Sequence, residues 1–165
     1  MTPTILEKVN IEGLVIAGET ESRMILYRKK LEKWIKMNNL SLKICLAGKL
    51  SEKEMSWCYR NCKMFVMTSR VESFGMIAGE AMAHGCVCVS ADSPCLPEIF
   101  GDAVVYYTPK KGKLLVKVIK SVTEWGNYQR EEISKKARER TAEFSWDVTV
   151  ERLLTEFKKA IESLN

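Results

Sequence analysis

A three-layer α/β/α domain on a parallel sheet is the fold that three observations predict. Short apolar runs alternate with longer amphipathic ones along the 165 residues, the pattern of strands joined by covering helices. The first two apolar runs, Leu14–Ala17 and Leu42–Ala47, each stop at a glycine, Gly18 and Gly48. Apolar residues make up 46% and charged residues 28%, the balance of an ordinary globular chain, and the length suits one domain over residues 1–165 with its own core.

In order, a short helix-like lead over Ile5–Val9 precedes the first strand, Leu14–Ala17. A helix from about Glu21 to Met37 follows, with Met24, Tyr27, Leu31, Trp34 and Ile35 at helical spacing as its core stripe. The second strand is Leu42–Ala47. Ser51 with Glu54 three residues on is a capping box opening a helix to about Asn61. Met64–Met67 and Val87–Val89 read as the third and fourth strands. Pro94 and Pro97 break the chain, with Glu98 as a turn acid, before a fifth strand, Val104–Tyr107. Helices over about Lys113–Trp125, Glu131–Ala142 and Asp147–Leu164 complete the chain.

No apolar run reaches the roughly 18 to 20 residues of a membrane span, and the start of the chain lacks a secretory pattern. The six cysteines read as reduced thiols, mostly small core residues. Cys58 and Cys62 stand one turn apart, for which packing is the simpler role. The lone histidine, His84, reads as a helix-terminal residue, and the cysteines lack the paired spacing of a zinc site, so no metal is expected. The net charge of +5 includes Lys110, Lys111, Lys113, Lys117 and Lys120. With no interleaved aromatics, that run is a solvated helix face and not a nucleic-acid platform. A basic surface also suits peripheral contact with anionic lipid.

The chemistry concentrates between Val71 and Ser93. Glu72 precedes a loop of Ser73, Phe74 and Gly75, which enters a helix of small and apolar residues, Met76 to Ala83, interrupted by one charge, Glu80. A carboxylate buried in such a helix needs hydrogen-bond donors. The start of the same helix leaves backbone N–H groups without intrahelical acceptors, in a field that favours an anion such as phosphate. In an open α/β sheet, ligands collect at the carboxyl ends of the strands, where Gly18-Glu19, Gly48-Lys49, Ser69–Gly75 and Ser90–Pro94 all fall.

Glu72 and Glu80, seven residues between them, with Ser73-Phe74-Gly75 after the first and Ala81-Met82-Ala83-His84-Gly85 after the second, resemble the donor-binding signature of retaining GT-B glycosyltransferases of the family 4 type. The Ala91–Ala103 segment and the ending from Arg138 through Phe144-Ser145-Trp146 to Leu164 resemble that family too, so the likeness runs from about Leu14 onward. It implies a Rossmann-like domain, the C-terminal half of a GT-B fold.

The resemblance further implies a nucleotide-sugar-binding domain that serves transfer of a hexosyl group to a glycan or lipid-linked acceptor, in the cytoplasm or at its membrane face. The donor would be a UDP- or GDP-sugar, with no metal or other cofactor. By resemblance, Glu72 is the catalytic residue and orients the donor sugar's hydroxyls, Glu80 accepts from the ribose hydroxyls, and the amides of Phe74, Gly75 and Met76, with Ser73 beside them, meet sugar and phosphates. Gly75 suits close approach of a ligand, and Gly48, Lys49 and Leu50 take the place of the base contact. The family's Arg/Lys diphosphate clamp and its N-terminal acceptor domain do not fall within these residues, and Glu19 stands where relatives often have Asp. An N-terminal GT-B domain in cis or trans is therefore the expected partner, and the chain alone is expected to bind donor weakly and transfer nothing. Two other readings remain open: a non-catalytic nucleotide-sugar-binding or scaffolding module, and a sugar-nucleotide epimerase, for which additional acids and a suitable histidine are missing.

Overall fold

The computed structural model describes residues 9, 11–69, 71–109 and 112–163. Five strands form two parallel ladders. β1 (Leu14–Ala17) pairs with β2 (Ile44–Gly48), Leu14 opposite Ile44 and Ile16 opposite Leu46, with an irregularity before Ala17. β3 (Phe65–Met67), β4 (Cys88–Ala91) and β5 (Val105–Tyr107) form the second ladder in that spatial order, Val66 opposite Val89 and Val89 opposite Val105. The expected parallel pairing and α/β alternation are present, but no ladder joins the two sets among the described residues.

The second ladder organises the core, because side chains alternate across its faces. Cys88 and Met67 point into one apolar cluster, with Tyr59, Ala78, Ala81, Met82, Leu96, Phe100 and Ala137. Val89, Ala91 and Tyr107 point into the other, with Leu115, Val116, Ile119 and Val122. The first cluster is covered by α2 (Glu52–Asn61), α3 (Met76–Ala83), α4 (Leu96–Phe100) and α6 (Asn127–Ala142), and the second by α5 (Gly112–Thr123). These are the three layers anticipated.

Local chemistry fixes the helix ends. The Ser51 capping box opens α2: the Ser51 amide donates to Glu54 Oε2 at 2.7 Å and the Glu54 amide to Ser51 Oγ at 3.4 Å. Arg130 on α6 donates to the carbonyls of Val122 at 2.6 Å and Lys63 at 2.8 Å. It thereby satisfies a carbonyl at the end of α5 and ties that end to the approach to β3.

Several expectations need correction. Leu42 is fully exposed in a turn, and β2 starts at Ile44, because the Lys43 and Ile44 amides both donate to the Leu40 carbonyl. Pro97 does not break the chain but lies in the first turn of α4, where its missing N–H has no helical acceptor to lose. In α1 (Ile25–Met37), preceded by a 3-10 turn over Ser22–Met24, only Ile35 of the proposed core stripe is buried, while Met24 and Tyr27 are exposed. The cysteines are not mostly core: Cys86 and Cys88 are buried, but Cys45 and Cys62 are exposed. The last helix, α7 (Trp146–Glu162), has no buried residue, although Val150, Leu153, Leu154, Phe157 and Ile161 follow helical spacing. The lead over Ile5–Val9 lies outside the described residues except for Val9, which is buried in the second cluster.

Candidate functional site

The loop leaving β3 carries Glu72, half-buried, whose main-chain oxygen accepts from Cys95 Sγ at 2.8 Å. Its carboxylate makes no hydrogen bond or ion pair among the described residues. Ser73 and Phe74 are exposed, and the Phe74 ring stands edge-on to Phe144 with centroids 5.3 Å apart. Arg140 lies over the other aromatic of that pair, 5.1 Å from the Phe144 centroid. The segment after α6 is thus anchored against the loop.

Gly75 caps α3 at φ 76°, ψ 38°, left-handed geometry that glycine adopts without a steric penalty. Its carbonyl accepts from the amides of Ala78 and Gly79, at 2.9 and 3.1 Å. The amides of Met76 and Ile77, in the first turn, have no acceptor among the described residues, as helix geometry requires. They sit at the positive end of the helix dipole with no capping side chain. The position is also crowded from inside the protein. A Cβ there would lie 2.8 Å from Leu96 Cδ2 and 3.0 Å from Phe100 Cε2.

Glu80 is the main departure from expectation. It is exposed, not buried. Ala78, Ala81 and Met82 form the buried stripe of α3, and this spacing of three and four residues turns position 80 outward. Its Oε2 accepts a long hydrogen bond from the Tyr59 hydroxyl, 3.5 Å away on α2, and no lysine or arginine pairs with it among the described residues. The Tyr59 hydroxyl is pushed up to about 12 by burial first and by the neighbouring Glu80 carboxylate second, so it remains a donor across the neutral range.

His84 caps the end of α3, as expected of a helix-terminal residue. Its Nδ1 faces the Glu80 carbonyl at 2.9 Å and its Nε2 faces Ser56 Oγ at 2.8 Å. A carbonyl only accepts, so Nδ1 carries the proton and Nε2 receives the serine's. The ring is a structural link between α3 and α2.

Gly48, Lys49 and Leu50 follow β2 in the other ladder. The Gly18 amide donates to the Gly48 carbonyl at 2.8 Å, joining the carboxyl ends of β1 and β2, and Lys49 pairs with Glu19 at 3.6 Å, both side chains exposed. Leu50 edges an apolar cleft of about 410 Å³ with Val15, Ala47, Trp57 and Cys58. The structure therefore places Ser73–Met76 at the start of α3 and Glu80 one turn further along the same helix, whereas no hydrogen bond or ion pair joins them to Gly48–Leu50 among the described residues. Sequence reading missed Tyr59 and Phe144. Each reaches the site from an element distant in sequence, and local pattern carries no such signal.

The sequence pattern of the family described as glycosyl transferases group 1 matches residues 6–140. The chain belongs to that family. Among relatives of this group 1 glycosyltransferase chain, the serotype-specific mannosyltransferase WbdA of Escherichia coli is 27% identical over 121 residues, 73% of this chain and 15% of the relative. Two solved structures share the fold. Sucrose-phosphate synthase from Thermosynechococcus elongatus superposes with a TM-score of 0.81 at 18% identity, over 97% of this chain and 41% of that one. Anabaena HepE, solved with UDP and glucose, superposes with a TM-score of 0.78 at 20% identity, over 95% of this chain and 43% of that one. The group 1 chain thus spans about a seventh of WbdA's length and about two fifths of each of the two structures. No helix among its described residues is long and apolar enough to cross a membrane.

Proposed function

We propose that the chain is the nucleotide-sugar-binding, C-terminal domain of a retaining GT-B glycosyltransferase that moves a hexosyl group from a UDP- or GDP-sugar to a glycan or lipid-linked acceptor. The observation that carries this reading is the start of α3. Among the described residues, two first-turn amides, Met76 and Ile77, lack acceptors, and two carboxylates lack cationic partners, Glu72 in the loop before the helix and Glu80 one turn into it.

In that reading the helix start receives the diphosphate, whose charge grows as the bond from the anomeric carbon to the diphosphate oxygen breaks. Glu80, steadied by Tyr59, accepts from the two ribose hydroxyls. Glu72 accepts from hydroxyls of the sugar and fixes the anomeric carbon towards the acceptor. The acceptor hydroxyl oxygen forms the new bond to the anomeric carbon, and its proton passes to the departing diphosphate oxygen. Lys49 and Leu50 would meet the base, which requires the two ladders to present their carboxyl ends to one ligand. The acceptor would be held by an N-terminal domain, in cis or in trans, on the cytoplasmic side. HepE, solved with UDP and glucose, supports a nucleotide-sugar donor for this fold.

Calorimetric or ligand-observed NMR titration with UDP- and GDP-sugars tests the proposal. Saturable binding of one of them is expected, and no binding at millimolar concentration by folded protein rejects it.

A further inference from the structure

Away from that site, the C-terminal end of α2 meets the chain just before β4. Cys62, the C-cap of α2, and Cys86, two residues before β4, place their Sγ atoms 3.3 Å apart. Cys62 is exposed and Cys86 is buried. Both line a cleft of about 230 Å³ whose wall also carries Arg60, Lys63, Arg130 and Glu131. The cations outnumber the acid, so the cleft suits an anionic thiol reagent. No such arrangement was expected from the sequence, where Cys58 was the neighbour of Cys62.

We propose that Cys62 and Cys86 are a redox-active dithiol that closes to an intramolecular disulfide by exchange with a small anionic disulfide such as oxidised glutathione. The exposed Cys62 thiolate attacks one glutathione sulfur. The glutathione S–S bond breaks, the departing glutathione thiolate takes up a proton, and Cys62 holds the other half as a mixed disulfide. Cys86 then gives up its proton and its sulfur attacks Cys62 Sγ, forming the protein S–S bond and expelling the second glutathione thiolate, which is protonated in turn. Two protein thiols are oxidised, one glutathione disulfide is reduced to two thiols, and protons balance.

The step needs little rearrangement. The sulfurs must approach by about 1.3 Å to reach a bond of about 2.04 Å, and Cys62 lies at a helix end. The Sγ contact with Cys86, then partial burial of the sulfur although the residue as a whole is exposed, raises the Cys62 thiol. The contact with Cys62 lowers the Cys86 thiol, but the neighbouring Cys88 and burial outweigh it and leave that thiol at about 12. Thiolate is therefore scarce at neutral pH, so the exchange is slow and is read at equilibrium.

The test incubates the chain with excess oxidised glutathione in mildly alkaline buffer until no further change occurs. Thiol titration, intact mass and peptide mapping without reduction are then compared. Expected are a linked peptide pair containing Cys62 and Cys86 that carries no glutathione and is lighter by two hydrogens than the two free peptides, loss of two thiols beyond any adduct at the exposed Cys45, and a Tm raised by about 5 °C for the closed loop. C86S should stop at one glutathione adduct on Cys62, and C62S should keep Cys86 reduced. An unchanged thiol count in the unaltered chain, or a map that joins Cys62 to Cys58 instead, overturns the proposal whether or not either variant folds. The result is independent of sugar-nucleotide binding.

Discussion

The Tyr59 hydroxyl reaches Glu80 Oε2 across 3.5 Å, from α2 to α3, and is the one side chain that orients this otherwise open carboxylate among the described residues. The pair separates two roles. In the proposed reading Glu80 supplies the acceptor atoms for a ligand, and Tyr59 sets where they stand. Glu80→Gln should weaken nucleotide binding by about 1 to 3 kcal/mol, the scale of charge-assisted hydrogen bonds. Tyr59→Phe should cost about 1 kcal/mol or less, through orientation alone. Calorimetry with UDP and GDP ranks the two; equal affinity for the Glu80 variant and the unaltered protein removes Glu80 from the site.

Glu72 sits in the loop before the helix start, with its carboxylate free of protein partners among the described residues. If it holds the sugar, Glu72→Ala should weaken a UDP- or GDP-sugar more than the matching bare diphosphate, by about 1 to 3 kcal/mol. Competition titrations of each donor against its nucleotide measure the difference. Equal losses for both would assign Glu72 to the loop's structure and not to the sugar.

The sequence made the order of strands and helices legible because apolar period and capping chemistry act locally. Ser51 and Glu54 announced α2, and the alternation Cys88, Val89, Ser90, Ala91 delivers side chains to two opposite cores. Burial was less legible, since it depends on neighbours. Leu14–Ala17 reads as a doubly covered strand, yet Val15 is 54% exposed in a ladder of two. Glu80 was misplaced for a related reason. A helix composed almost wholly of small apolar residues does not reveal which of its faces turns inward, and only the packing of Ala78, Ala81 and Met82 under Leu96 and Phe100 settles it. The Tyr59–Glu80 and Cys62–Cys86 contacts span 21 and 24 residues, beyond any periodicity.

Alkaline pH should reveal the two phenols that burial protects, Tyr59 buried and Tyr106 partly so. Tyr59 and Tyr106 are both pushed from 10.0 to about 12, with burial as the leading cause. A folded-state value above the unfolded one means that the folded protein holds the proton more tightly, so this stabilisation is complete below pH 10 and is lost as pH rises through 12. Thermal melts across that window should show a falling Tm, and Tyr59→Phe with Tyr106→Phe should flatten the decline. A decline of the same slope in the double variant would place its origin elsewhere.

Gly75 and Gly48 provide a matched test of why the helix start needs glycine. Both have left-handed backbones, φ 76° and 71°, but a Cβ on Gly48 meets open space whereas one on Gly75 meets Leu96 and Phe100. Gly48→Ala should therefore cost only the backbone strain, about 1 to 2 kcal/mol. Gly75→Ala adds overpacking against two side chains that are almost fully buried, about 1 to 3 kcal/mol more. Chemical denaturation of both variants isolates the second contribution, because the strain is common to them. A Gly75 variant no less stable than its Gly48 counterpart would mean that Leu96 and Phe100 can give way, and that the glycine is held at this helix start by the space a bound ligand needs.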